Sequence, residues 1–286
     1  MKQLNNFILE KLKISKTSFI LEKLKINSKS KINQYKYFPE TREELNELIN
    51  KLIIERGNNA DLNDINTSKI NDMSNVFLGL EFDGDISKWD VSNVKDMSYM
   101  FSECCNFNCD LSNWNVSHVK NMSGMFYKCT KFNGDISKWN VSNVKNMMSM
   151  FGGSAFNGDI SEWNVSNVEN MSFMFSSSKF NGDISKWDVS NVVTMLFMFS
   201  NSQFNQDISN WDVSNVINMR SMFSSSKFNG DISNWNVSNV KDMIYMFAFS
   251  EFNQDISNWN VSNVKYMKEM FKKCPLEKNL PQWYKK

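Results

Sequence analysis

The sequence predicts an α/β repeat fold: a solenoid of stacked coils, with short parallel strands on one face, 3₁₀ or short helical turns on the other, and a helix capping the N-terminal end. Three observations predict it. A unit of 24–25 residues recurs eight times between Phe82 and Cys274. Tryptophan keeps its beat, with Trp89, Trp114 and Trp139 spaced by 25 residues and Trp139 through Trp283 spaced by 24. A fixed period in this range marks units stacked on one another. Finally, apolar residues recur at eight fixed places, so that stacking buries a set that no single coil could enclose.

Positions are counted from the phenylalanine of the copy FNGDISKWDVSNVVTMLFMFSNSQ (180–203). Its apolar places 1, 5, 8, 10, 13, 16, 19 and 20 are Phe180, Ile184, Trp187, Val189, Val192, Met195, Met198 and Phe199. The alternation of 8 and 10 predicts a half-buried strand. The step of three from 10 to 19 predicts a 3₁₀ or short α turn returning the chain. With strands about 4.8 Å apart, about nine coils make a rod roughly 40–45 Å long.

Four segments follow. Residues 1–36 are basic, with nine lysines against Glu10 and Glu22, and carry a duplication, FILEKLKIS (7–15) and FILEKLKIN (19–27). Leu4, Phe7, Ile8 and Leu12 fit a helix, while Leu12 and Ile14 also fit a strand, and both readings stand. Residues 37–81 form an N-terminal cap. Within it, 41–56 reads as a helix: Thr41 and Glu44 make a capping box, Leu45, Leu48, Ile49 and Leu52 make an apolar stripe, and Gly57 ends it. A degenerate coil, LNDINTSKINDMSNVF (62–77), completes the cap, with Ile65 in the tryptophan slot. Residues 82–275 are the eight full repeats. Residues 276–286 are a partial one, in which Leu276, Leu280 and Trp283 keep positions 1, 5 and 8.

Composition narrows the function. Net charge is +1 in 286 residues, with the excess of lysine in 1–36. A basic tail is compatible with an anionic partner, and a solvated lysine face explains it more simply. No nucleic-acid partner is expected. No run of 18 apolar residues predicts a membrane span, MKQLNNFILEKLKISKTS lacks the features of a secretory leader, and LPQWYKK shows no anchor. Of five cysteines, Cys104, Cys129 and Cys274 share position 23 with serines of other copies, so free thiols in a slot for small side chains are expected. The spacing of Cys104, Cys105, Cys109 and Cys129 matches no zinc pattern. His118 is the single histidine, so no histidine-based relay recurs with the repeat. The sequence therefore predicts no enzyme, no cofactor and no metal.

The motif FNxDIsxWdVSNVxnMxxMF resembles the repeat of the BspA-like leucine-rich-repeat family, also described as the bacterial surface protein repeat and as a domain of unknown function in mycoplasma lipoproteins. The resemblance covers about residues 58–283. It implies a right-handed, leucine-rich-repeat-like solenoid, with Ile184, Trp187 and Val189 standing where the leucines of LxxLxL stand. It also implies a surface, adhesin-like protein that binds a protein or glycan. The missing leader and anchor motifs and the free cysteines favour the alternative, an intracellular interaction or structural protein of the cytoplasm.

The remaining repeated residues have competing readings. The methionines of positions 16 and 19 read as core filler. The tryptophan ladder reads as core, because each shares a face with the valine two residues on; the alternative is a stacking platform. The aspartates of position 4, Asp85 through Asp255, read as caps of the turn, with calcium ligation as the alternative. Asn at position 12 is expected to form a hydrogen-bonded ladder. The candidate binding strip comprises positions 7 and 9 of the predicted strand: Lys88, Asp90, Lys138, Asn140, Glu162, Asn164, Lys186, Asp188, Asn210 and Asp212, short or charged groups that offer donors and acceptors. A second candidate is an apolar patch on the return, where Val193, Leu196, Phe197, Ile217, Ile244, Tyr245 and Phe249 replace the usual polar residues. Contiguous, it would be a self-association or partner site.

Overall fold

The computed structural model describes residues 35–285. Among them the regular elements are one α-helix, α1 (Arg42–Arg56), and one 3₁₀ turn, Pro275–Lys278. The expectation for the basic segment therefore lies outside the described residues, apart from Tyr35 and Lys36.

The cap is built from local chemistry. Thr41 Oγ1 accepts the Glu44 N–H at 3.2 Å, and Glu44 Oε2 accepts the N–H of Glu40 at 2.8 Å, which satisfies donors at the helix start. Gly57, at φ +89, donates its N–H to the Ile53 carbonyl and ends α1. Leu45, Ile49 and Leu52 are buried against the first coil. Arg42 Nη1 reaches Ser74 Oγ at 2.8 Å, and Arg56 holds both oxygens of Asp64 at 3.0 Å.

Beyond the cap the protein is a repeat stack. All eight apolar places of the copy 180–203 are buried. Phenylalanines of positions 20 and 1 form two interleaved columns: Phe175 stacks on Phe199 at 5.7 Å and on Phe180 at 4.2 Å. The core thus runs the length of the stack, with each coil touching mainly its two neighbours.

The strand and the helical return are both corrected. Among the described residues parallel pairing is confined to single-residue bridges, and their ladder runs at position 15, through Asn146, Asn170, Thr194, Asn218, Asp242 and Tyr266. Around the tryptophan the chain makes two tight turns instead: Trp187 N–H donates to the Ile184 carbonyl at 3.1 Å and Val192 N–H to that of Val189 at 2.9 Å. The cause is the polar residue before each turn. Asp183 Oδ1 accepts the Ser185 N–H at 2.9 Å and Asp188 Oδ1 the Ser190 N–H at 3.0 Å. An Asx side chain that bonds its own backbone two residues on bends the chain away from a ladder. Position 15 makes a third such corner, as where Asn170 Oδ1 accepts the Ser172 N–H at 2.9 Å.

From position 16 onward alternate N–H groups face two ways. Those of Met195, Phe197, Phe199 and Asn201 donate to carbonyls of the next coil, while those of Met198 and Ser200 close i→i+3 turns within their own. Positions 18 and 22 are left-handed in every coil, including Tyr99, Phe173, Phe197 and Tyr245 at 18, and Glu103, Lys128, Asn201 and Phe249 at 22. An alternation of this kind cannot be helical. Side chains other than glycine, and bulky ones above all, rarely adopt such a conformation, so inter-coil bonding must hold them there.

Candidate functional site

Two ladders of side chains stitch the coils together. Each tryptophan donates its indole N–H to the position-5 carbonyl of the preceding coil; Trp187 reaches Ile160 at 3.0 Å. Trp187 itself is 3% exposed, so its ring belongs to the core and is no platform for a ligand. Asn at position 12 donates to the preceding position-11 carbonyl, as Asn191 does to Ser166 at 2.7 Å. His118 breaks this ladder: among the described residues its ring makes one hydrogen-bond contact, with the Ser117 hydroxyl at 3.5 Å. Replacing His118 by asparagine is expected to add the missing bond to Ser92 and raise stability by about 0.5–1.5 kcal/mol, measured as a higher urea midpoint at unchanged slope.

The position-4 aspartates are turn caps. Asp159, Asp183, Asp207, Asp231 and Asp255 are all held below the usual carboxylate range, first by the backbone N–H and then by the hydroxyl of the serine two residues on. A carboxylate bound in this way ionises lower folded than unfolded. The stability it contributes is complete above the unfolded aspartate range, near about pH 4, and is lost as pH falls through the folded values. The melting temperature is accordingly expected to stay level from about pH 7 to 5 and to fall below about pH 4; a rise on acidification would contradict the capping role.

All ten residues of the polar strip are exposed, on turns flanking the buried tryptophan rather than on a strand. Half of them are already engaged. Asp90, Asn140, Asn164, Asp188 and Asp212 each spend Oδ1 on the serine N–H two residues on, at 3.0–3.1 Å. Lys186 pairs with Glu162 at 2.9 Å across adjacent coils. Lys88, Lys138 and Asn210 remain the outward-facing members whose side chains make no such bond among the described residues.

The apolar set does not form one patch. Val193 and Ile217 are neighbours, joined through the Ile217 N–H and the Val193 carbonyl at 2.9 Å, and are 41% and 39% exposed. Leu196 and Phe197 lie one coil before Arg220 and Ser221, and Ile244 and Tyr245 one coil after. Arg220 pairs with Asp242 at 3.0 Å, and this polar coil separates the two groups. Phe249 stands apart beneath the ammonium groups of Lys272 and Lys273. None of these seven residues belongs to the buried core. What sequence reasoning passed over is a set of rings on the same side, Tyr99, Tyr127 and Phe173, which line one cleft with Gly152 and Gly153. Aromatics recurring at positions 18 and 21 were the available signal.

The five thiols are free. Burial pushes Cys104 up to about 12 and Cys109 up to about 11, and it pushes Cys129 upward as well, so these thiols stay protonated and weakly nucleophilic at neutral pH. Cys129 Sγ donates to the Phe101 carbonyl at 2.8 Å, and at the same position Ser202 Oγ donates to that of Phe199 at 2.7 Å. Among the described residues no three His, Cys, Asp or Glu side chains are placed to hold a metal ion, and no helix is long and apolar enough to cross a membrane.

A family model described as Mycoplasma protein of unknown function, DUF285, matches the chain at residues 43–157, 152–226 and 202–286. No curated protein and no solved structure matches it.

Proposed function

The chain belongs to this Mycoplasma family of unknown function, and from there we propose that it is a non-enzymatic scaffold, a right-handed leucine-rich-repeat-like solenoid that binds a protein or glycan at a cell surface in the manner of an adhesin. The observation that carries the reading is the contrast between the two sides of each coil. Inward positions repeat themselves: position 8 is tryptophan in every full copy. Outward positions change from coil to coil, and the exposed position 7 runs Lys, Asn, Lys, Glu, Lys, Asn, Asn, Asn from Lys88 to Asn258. A constant interior with a varied exterior suits a frame whose surface is free to specify a partner. A second reading, an intracellular interaction or structural protein, is favoured by the five free thiols. Protease treatment of intact native cells separates the two. The adhesin reading expects cleavage of the protein before lysis, and protection until lysis would favour the intracellular one.

A further inference from the structure

The side of the stack formed by positions 17–22 carries rings in most coils, and they leave one gap. The ring of Tyr99 lies over Gly124, where a Cβ would come within 2.4 Å of it, and the ring of Tyr127 lies over Gly152 at 3.1 Å from such an atom. On the other side Phe173 stacks on Phe197 at 4.9 Å and 9°. Between these walls the coil of Ser149, Gly152 and Gly153 turns its one ring of this segment, Phe151, into the core, and the space left outside is a cleft of about 650 Å³.

We propose that this cleft is a subsite for one neutral pyranose ring of a glycan. It rests on the reading of the stack as a binding scaffold, and it lies apart from the strip of positions 7 and 9. Its size is that of small-molecule pockets, which are apolar and carry few polar groups. A pyranose has apolar C–H faces and a hydroxylated rim. Tyr99, Tyr127 and Phe173 offer the faces, and the tyrosines add polar tips. Ser149 and Ser176 put hydroxyls on the lining, each able to donate and accept. Charge selects for neutrality. Lys128, the cation of the lining, is held by Glu103 at 2.8 Å and lies 5.1 Å from the centre of the Tyr127 ring. The pair carries no net charge, so neither a cationic nor an anionic ligand gains an ionic partner from it.

Two variants test the subsite using residues that position 18 already carries elsewhere. Ser149→Phe extends the Phe173–Phe197 stack into the cleft and fills it, since this position holds aromatic residues at positive φ in four other coils. Phe173→Ser removes one wall. Saturation-transfer NMR on the full chain would use chitotriose, maltotriose and lactose, with a decaproline peptide as the alternative probe. The expected result is transfer to at least one sugar, at least about tenfold weaker in both variants, with their melting temperatures close to that of the parent. The proposal is overturned if no sugar shows transfer, if transfer survives both variants, or if decaproline alone shows transfer that the variants lose, which would make the cleft a peptide site. A sugar signal that survives both variants but is lost in Lys138→Glu with Lys186→Glu would sink the subsite and leave the scaffold reading in place.

Discussion

Replacing Trp187 by alanine is expected to lower the unfolding free energy by about 3–5 kcal/mol, the usual loss on emptying a large aromatic core site. The structure adds a second cost. The indole N–H is the partner of the Ile160 carbonyl at 3.0 Å, and removing it breaks a buried bond worth about 1 kcal/mol. Trp187→Phe separates the two contributions, because it keeps most of the apolar volume and loses the donor. Chemical denaturation of the parent and both variants would measure them. An unchanged midpoint for the alanine variant would contradict the burial of the tryptophan column.

Gly124→Val is expected to cost about 2–5 kcal/mol. Gly124 sits at φ +61, and a left-handed backbone costs an ordinary residue about 1–2 kcal/mol. A Cβ there also meets the Tyr99 ring at 2.4 Å, so the ring must move, at the cost of overpacking, about 1–3 kcal/mol. Gly79, at φ +70 with nothing within 4 Å of such an atom, is the control, because Gly79→Val carries the backbone penalty alone. Equal losses at the two sites would mean that the ring yields freely.

The inward half of the fold was legible and its backbone was not, for one reason. A period that places Ile184, Trp187, Val189 and Val192 inside is satisfied equally by a strand and by two consecutive tight turns, since both return a side chain to the core at those intervals. The sequence held the deciding signal in Asp183-x-Ser185 and Asp188-x-Ser190, but short polar residues beside a strand look the same until their hydrogen bonds are known. The left-handed places were harder to see. Tyr99, Lys128, Ser149 and Phe197 occupy them, and nothing in those residue types announces a positive φ; Gly79, Gly124 and Gly153, with Asn75 and Asn201, hint at it. The apolar patch failed on register. Phe197 and Tyr245 are two coils apart, and Ser221, itself 3% exposed, lies between them. The cleft was missed because it is made by what Ser149, Gly152 and Gly153 lack.

The bonds leaving positions 16, 18, 20 and 22 all run toward the next coil, as from Met195, Phe197, Phe199 and Asn201, and outnumber those from position 14 and, in some coils, position 24 that run back, as from Val193 to Glu169 and from Lys227 to Ser202. Parallel peptide dipoles add. On this side the stack is therefore electrically polar along its axis, with a partial positive charge where the last donors emerge and a partial negative charge at the first carbonyls. Side chains of the complementary sign already sit at both ends: the Glu277 carboxylate accepts the Lys273 N–H at 2.8 Å, and the Arg42 guanidinium lies 3.5 Å from Asp72 in the first coil. Glu277 and Arg42 thus offset the partial charges that the stack's own bonds leave at its two ends, and the offset is largest in low salt, where screening is weak.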